Sequence, residues 1–260
     1  MIETTLECLR TVFERASHAL RASSRAYSYR LFGRRRIRGL FPQMTSAQFK
    51  TVAEVVSLVD RSIDGRYAGT VFDKWAHCSA SLCAAKGFPD APQYAHVEIG
   101  VLFGGSLISR LLLINSSRAN QTHIAIDPLH TYYGKGVDPV TGLHLSKEMV
   151  LRNLERLRLS PQNVVFCETF SDDSKTIETV ARYKIISLFI DGDHTVEGVK
   201  KDWEAYGPHV VKGAYVVFDN YASRGWPGVK SFVDQLLPSL SSQEWKKIGV
   251  YYDAFLLQRL

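Results

Sequence analysis

Short apolar runs that alternate with amphipathic stretches are the main structural signal in the second half of the chain. From Tyr94 onward, five apolar runs each follow or precede a stretch whose apolar positions have helical spacing. The runs cover Ala95–Ile99, His123–Ile126, Val164–Cys167, Ile185–Ile190 and Ala214–Phe218. The helical stretches cover Ser106–Asn115, Ser146–Leu159, Ser174–Arg182 and Val196–Val211. Runs that are apolar on both faces predict an α/β fold, with a parallel sheet covered by helices on both sides.

The C-terminal end of the chain predicts a different connection. A helical stretch at Val229–Leu237 is followed by two strand-like runs, Trp245–Val250 and Ala254–Gln258, which only a few residues separate. So short a connection suits an antiparallel hairpin and leaves no room for a crossover. We therefore expect five parallel strands followed by an antiparallel pair.

The spacing of apolar residues in the N-terminal third of the chain predicts helices. Helical spacing is found at Ile2–Leu20, at Thr45–Leu58, where Thr45 and Gln48 resemble a capping box, and at Tyr67–Lys86. A cluster of proline and glycine at Gly87–Pro92 marks the best boundary. We therefore predict a helical extension over residues 1–92, serving as a lid or an oligomerisation segment, and an α/β domain over residues 93–260.

The positive charge of the chain is confined to its start. The net charge is +6, and the first 40 residues hold nine arginines and three glutamates, so the remaining residues are neutral overall. The main domain therefore gives no electrostatic reason to expect a nucleic-acid partner. For the arginine run at Gly33–Gly39 we favour a solvated linker over a site for phosphates or lipid head groups.

The spacing of the cysteines and the length of the apolar runs indicate the cellular compartment of the protein. The four cysteines form no CxxC pair, which fits a reducing compartment. No apolar run approaches the roughly 18 residues that a membrane span needs, and no signal peptide is recognisable. We expect a cytoplasmic protein.

A glycine loop follows the first predicted strand. Its pattern is Glu98-x-Gly100-x-x-x-Gly104-Gly105-Ser106. Glycines at the carboxyl end of a strand let the backbone approach a ligand closely, although a purely structural turn has the same pattern. The spacing matches neither a dinucleotide fingerprint nor a P-loop. Glu98 would repel a pyrophosphate and suits a ligand that carries positive charge.

Two further strand ends carry candidate ligand-binding residues. Asp127 ends the second strand, where an acid can accept both hydroxyls of a ribose; a helix cap is the alternative. Thr169 follows the third strand, in a position from which a side chain can reach an adenine.

Acidic residues also follow the fourth and fifth strands. Asp191 ends one strand, and Asp219 and Asn220 end the next. Because neighbouring parallel strands end side by side, these oxygen-bearing side chains should converge, and hard cations such as Mg²⁺ prefer such ligands. Asp193 and His194 lie in the adjoining loop. The alternative is that all of these residues only cap helices and form turns.

Together these motifs resemble a known family. The glycine loop, Asp127, the segment Phe189–His194 and the segment Lys212–Tyr221 are similar to those of class I S-adenosylmethionine-dependent methyltransferases, in particular the cation-dependent O-methyltransferases of the catechol and macrocin types. The resemblance covers about residues 94–260. It implies a Rossmann-like seven-stranded sheet and two cofactors, S-adenosyl-L-methionine and Mg²⁺ or another divalent cation.

The resemblance also implies roles for individual residues. The cofactor-binding residues would be Glu98, Gly100, Gly104, Gly105, Ser106, Asp127, Thr169 and Asp191. The metal ligands would be Asp191, Asp219 and Asn220, which match the catechol type. The catalytic base is either His194 or Asp193, since the catechol type has a lysine where this chain has His194.

The implied activity is methyl transfer to a hydroxyl of a small metabolite, such as a sugar, a polyol or a phenol, by an enzyme that forms a homodimer. Three alternatives remain at this point. The same fold can support other metal-assisted chemistry such as hydroxylation, or a non-catalytic module attached through the arginine-rich N-terminus, and a nicotinamide dehydrogenase is the fallback if the glycine loop is misread.

Overall fold

The structure is a computed structural model that describes residues 34–65, 74–115, 117–130, 134, 136–138 and 141–260. Two predicted features lie outside the described residues: the N-terminal amphipathic helix and the first part of the predicted helix at Tyr67–Lys86.

A seven-stranded sheet forms the centre of the molecule, in the order β3-β2-β1-β4-β5-β7-β6. The strands are β1 (Tyr94–Ile99), β2 (Thr122–Ile126), β3 (Val164–Cys167), β4 (Lys184–Ile190), β5 (Val210–Phe218), β6 (Trp245–Tyr251) and β7 (Ala254–Arg259). Strands β1 to β5 are parallel, β7 pairs antiparallel with β5, and β6 pairs antiparallel with β7. The predicted parallel sheet with its antiparallel C-terminal hairpin is therefore confirmed.

Helices cover both faces of this sheet. The described α-helices are α1 (Arg34–Leu40), α2 (Ser46–Ser62), α3 (Lys74–Gly87), α4 (Gly105–Ile114), α5 (Lys147–Arg156), α6 (Ser174–Val180), α7 (Val196–Tyr206) and α8 (Pro227–Leu236). Apolar residues of α1 to α5 pack on one face, and those of α6 to α8 pack on the other. The N-terminal helices thus share a hydrophobic core with the sheet.

Among the differences between predicted and observed element boundaries, two have a clear physical cause. The helix predicted to run from Val196 to Val211 ends at Tyr206, because Gly207 and Pro208 begin a 3₁₀ turn and proline has no N–H to continue the helical ladder. The chain that is released joins β5, which consequently begins four residues earlier than predicted.

The arginine run forms helix α1. Ile37 is fully buried in the core, whereas Arg35, Arg36 and Arg38 are exposed. The Arg38 guanidinium lies 5.8 Å from the ring centre of Phe49. The prediction of a linker is therefore wrong, because the segment is helical and Ile37 anchors it in the core. The predicted exposure of the arginines is confirmed for Arg35, Arg36 and Arg38.

The described residues contain no helix that is both long and apolar enough to cross a membrane. The three cysteines in the described part of the chain, Cys78, Cys83 and Cys167, are free thiols.

Candidate functional site

The glycine loop after β1 touches the loop after β4. Gly100 has a φ of +84°, and a β-carbon at this position would lie 2.0 Å from the carbonyl oxygen of Asp191. The left-handed backbone and the contact with main-chain atoms both require glycine. The glycine loop after β1 and the loop that begins at Asp191 are therefore in direct contact.

Asp127 fixes the shape of the glycine loop. Its Oδ2 accepts hydrogen bonds from the backbone N–H groups of Val101 (2.7 Å) and Leu102 (2.9 Å), and its Oδ1 accepts one from Leu129 (2.8 Å). A carboxylate has about four acceptor positions, so room remains for one more donor. Asp127 therefore has a structural role in the glycine loop, and the ribose contact that the resemblance implies for it stays a prediction.

The end of β3 adjoins Asp127. The backbone N–H of Asp127 donates to the carbonyl of Cys167 at 3.1 Å, which places the residues after β3 beside Asp127. Thr169 is partly buried there, and the neighbouring Phe170 is 60% exposed. An exposed aromatic ring at this edge offers a flat apolar surface of the kind on which an adenine stacks.

Glu98 does not face the glycine loop as an open carboxylate. Its Oε2 lies 3.0 Å from Nη1 of Arg110, and both side chains are fully buried. Burial raises the pKa of Glu98, against the lowering influence of Arg110. The predicted cofactor-binding residue is thus engaged in an internal ion pair with helix α4.

Three buried histidines surround this ion pair. Arg110 donates from Nε to Nδ1 of His123 at 3.0 Å, and its Nη1 lies 2.9 Å from Nε2 of His77. His96 bridges Ser187 at 2.7 Å and Gln121 at 3.1 Å. Burial lowers the pKa of all three imidazoles, so they are neutral and able to accept hydrogen bonds. None of this network was predicted, because its members come from separate elements with no common spacing.

Helix α4 begins directly after the glycine loop. Gly104 is its N-cap and has no side chain to cap the first turn, and Ser106 is partly exposed in that turn. A β-carbon on Gly105 would lie 2.8 Å from Nζ of Lys74. Lys74 in turn forms a 2.8 Å ion pair with Asp60. Sequence reasoning missed these last two residues, which belong to the N-terminal helices.

Asp191 after β4 and Asn220 after β5 both contact His194. Nε2 of His194 lies 3.2 Å from Oδ1 of Asp191, and the His194 side chain is also hydrogen-bonded to Asn220. Asp219 is buried on the adjacent strand end, where its N–H donates to the carbonyl of Ile190. Asn220 has a φ of +56°, a left-handed conformation that asparagine tolerates better than most residues.

An aromatic wall supports His194. Its ring stacks on Trp226 with 4.7 Å between centroids, and Trp226 keeps 37% of its surface exposed. Burial lowers the pKa of His194 to about 4, although Asp193 and Asn220 act to raise it. The imidazole is therefore neutral near pH 7, which is the state that can accept a proton.

The carboxylate of Asp193 is engaged by the turn that follows it. Its Oδ1 accepts the N–H of Thr195 at 2.9 Å and its Oδ2 accepts the hydroxyl of the same residue at 3.1 Å. Thr195 is the N-cap of α7. Asp193 is exposed and shapes the turn before this helix, so the geometry favours His194 over Asp193 as a base.

The part of the chain that the structure describes holds no group of three or more His, Cys, Asp or Glu side chains arranged for a metal ion. The predicted set contains only two carboxylates, and its third member is the amide of Asn220. Two carboxylates and an amide are hard oxygen donors, a chemistry that fits Mg²⁺ with retained waters rather than zinc.

A buried acid below this site gives a testable pH effect. Burial raises the pKa of Asp202 on α7 to about 7, against a lowering hydrogen bond with Ser171. The folded state therefore holds this proton more tightly than the unfolded state, and stability falls as pH rises towards 7. The wild type should lose about 2–3 kcal/mol of its free energy of unfolding between pH 5 and pH 8. Asp202→Asn should not show this loss, because asparagine does not titrate.

Urea unfolding of both proteins at the two pH values measures this difference. Glu204→Gln, a change at an exposed acid of the same helix, is the control and should follow the wild type. Parallel behaviour of all three proteins would contradict the assignment.

Comparison with known proteins agrees with this geometry. A family profile described as a methyltransferase domain matches residues 97–221, from β1 to the loop after β5. Protein R132 of Acanthamoeba polyphaga mimivirus, which is itself uncharacterised, is 30% identical over 164 residues, covering 60% of this chain and 67% of R132.

Solved structures share the fold. The O-methyltransferase NovP superposes with a TM-score of 0.58 and 20% identity, over 80% of this chain and 99% of NovP. The calicheamicin methyltransferase CalS11 gives 0.55 and 16%, over 83% and 93%. The mycinamycin methyltransferase MycE, solved with Mg, SAH and mycinamycin VI, gives 0.50 and 15%, over 79% and 53%. With the matched profile and the sheet order, residues 97–221 form a methyltransferase domain with the fold of the class I S-adenosylmethionine-dependent methyltransferases.

Proposed function

We propose that this enzyme transfers the methyl group of S-adenosylmethionine to a hydroxyl oxygen of a small metabolite, with His194 as the base. The observation that carries the proposal is the position of His194. It is neutral, held by Asp191 and Asn220, and part of a loop whose backbone touches the glycine loop at Gly100. A proton acceptor beside a sulfonium donor is what oxygen methylation requires.

The roles of the protein groups follow from this arrangement. The neutral imidazole of His194 receives the hydroxyl proton on a ring nitrogen. The hydroxyl oxygen forms a bond to the methyl carbon while the carbon–sulfur bond breaks, and the electron pair stays on sulfur. Asp191 stabilises the imidazolium that results, much as a buried carboxylate orients a catalytic histidine elsewhere.

We further propose that a divalent cation, Mg²⁺ in the first instance, binds Asp191, Asp219 and Asn220. The hard-oxygen chemistry of this set supports the proposal, as does the magnesium present with SAH in MycE. When bound there, such an ion lowers the pKa of a hydroxyl and orients it. The protein contributes the two strand ends that hold the ligands side by side.

The acceptor that we propose carries a sugar-like or phenolic ring. Trp226 presents an exposed face next to His194, and flat aromatic faces pack well against such rings. CalS11, which shares the fold, is described as a TDP-rhamnose 3'-O-methyltransferase. We therefore expect a hydroxyl of a sugar, a polyol or a phenol.

The test is methyl transfer from S-adenosylmethionine labelled in its methyl group. Glycosides, polyols and catechols serve as acceptor pools, with Mg²⁺ or with EDTA. We expect labelled methyl ethers in the presence of Mg²⁺, and at least a roughly 100-fold loss with EDTA, since metal activation is worth several kcal/mol. Turnover that EDTA leaves unchanged would contradict the metal site. Formation of S-adenosylhomocysteine without a methylated product would contradict oxygen methylation.

A further inference from the structure

The donor carries two opposite charges at its amino-acid end, and the protein must meet both. S-Adenosylmethionine ends in an α-ammonium and a carboxylate, and the resemblance implies that this end lies beside the glycine loop. The resemblance assigned Glu98 to this end. Glu98 is 1% exposed and already paired with Arg110 at 3.0 Å, so its charge is taken up inside the protein.

A second ion pair, between Lys74 and Asp60, lies at the end of the glycine loop. Nζ of Lys74 is 2.8 Å from Oδ1 of Asp60, and the two side chains are only 9% and 17% exposed. The same Nζ lies 2.8 Å, and Cε lies 3.2 Å, from the point where a β-carbon on Gly105 would be. Residue 105 opens helix α4, so the ammonium lies against the end of the glycine loop.

Glycine at position 105 makes space for this lysine. A β-carbon here would displace the ammonium from its present position, and the side chain of Ile63 lies 3.5 Å from the same point. The first turn of α4 has no side-chain cap, so its N–H groups also face this region. A lysine ammonium has three donors, of which Asp60 takes one. Within the described part of the chain the ammonium has no other hydrogen-bond acceptor, so its remaining donors can bind an anion beside Gly105.

The helices that carry this pair are fastened to the glycine loop. Asn153 donates to the carbonyl oxygens of Phe103 (3.0 Å) and Asp64 (3.2 Å), and thereby joins the loop to the segment just after Asp60. A β-carbon on Gly65 would fall within 2.2 Å of the Phe103 ring, so the two segments pack without a gap. The segment after Asp60 is therefore held at the loop, and the ion pair links Lys74 to Asp60.

We propose that Lys74 and Asp60 form the subsite for the amino-acid end of the donor, with Lys74 binding the carboxylate and Asp60 the α-ammonium. A buried pair of opposite charges is complementary to a zwitterion, because each member exchanges one partner of opposite charge for another. The inference rests on S-adenosylmethionine being the donor. It makes helices α2 and α3 part of the cofactor site and leaves Glu98 a structural role.

Calorimetric titration with three adenosyl ligands tests this subsite without relying on turnover. S-Adenosylhomocysteine carries both charges, decarboxylated S-adenosylmethionine lacks the carboxylate, and 5'-methylthioadenosine lacks the whole amino-acid end. For Lys74→Met we expect about 10- to 100-fold weaker binding of S-adenosylhomocysteine, the usual cost of one charged hydrogen bond, with little change for the other two ligands. Asp60→Asn should weaken S-adenosylhomocysteine and decarboxylated S-adenosylmethionine and spare 5'-methylthioadenosine.

Lys200→Met, at an exposed ion pair on α7, is the matched control and should bind all three ligands like the wild type. The inference is overturned if Lys74→Met binds S-adenosylhomocysteine as tightly as the wild type, or if it loses S-adenosylhomocysteine and 5'-methylthioadenosine equally, which is the mark of a merely structural role. Failure of the wild type to bind any of the ligands would instead overturn the donor assignment, and this inference with it.

Discussion

Replacing His194 with alanine is expected to lower kcat by about 10²- to 10⁴-fold, the usual contribution of a general base. The affinity for S-adenosylhomocysteine should stay near that of the wild type, because the base acts on the acceptor hydroxyl. The reason is the position of the imidazole, which is neutral, bonded to Asp191 and supported by Trp226. Single-turnover rates with labelled donor, together with calorimetric binding of S-adenosylhomocysteine, measure the two quantities.

Asp193→Asn provides the discriminating comparison. Asp193 is exposed and its carboxylate is engaged by Thr195, so we expect this variant to retain most of the activity. Loss of activity in Asp193→Asn with retention in His194→Ala would reverse the two roles. Equal loss of activity and of cofactor affinity in His194→Ala would point to a structural defect and contradict its role as the base.

Replacing Arg110 with methionine is expected to destabilise the protein by about 3–5 kcal/mol, because it leaves Glu98 buried without its counter-charge. It also removes the donor to His123. Since burial raises the pKa of Glu98, this carboxyl protonates more readily than usual, and a protonated carboxyl needs no counter-charge. The cost should therefore be larger at pH 8 than at pH 5.

Urea unfolding monitored by circular dichroism measures this change. The double variant Glu98→Gln with Arg110→Met should recover part of the loss, because no unpaired charge remains. Lys200→Met breaks an exposed ion pair and should cost less than about 1 kcal/mol. An Arg110→Met variant as mildly affected as this control would show that the buried pair contributes no more than an exposed one.

Much of the site was predictable because its residues lie at strand ends. Asp127, Asp191 and Asp219 each follow an apolar run directly, and parallel strands bring their carboxyl ends to one edge. That rule needs only the local pattern and the direction of the strands. The relation between His194 and Asp193 was not predictable, because neighbours in a loop point in directions that the turn and the following helix decide.

Glu98 shows where local reasoning fails. Its place beside the glycine loop indicated a ligand for a cation, but Arg110 lies twelve residues further along on α4 and reaches it only after the helix packs on β1. A charge at a strand end is satisfied by whichever partner the packing brings within 3 Å. The amino-acid sequence contains no signal for that partner.

The sequence by itself determined the alternation of strands and helices, the C-terminal hairpin, the glycine loop and the acidic strand ends. These features depend on the periodicity of apolar residues and on residues adjacent along the chain, which are local properties. Only the tertiary structure decided that Arg110 takes the charge of Glu98, that His194 joins Asp191 and Asn220, and that Lys74 and Asp60 lie at Gly105. The physical reason is that Coulomb and hydrogen-bond energies depend on distances within a few ångströms, and packing of distant segments sets those distances.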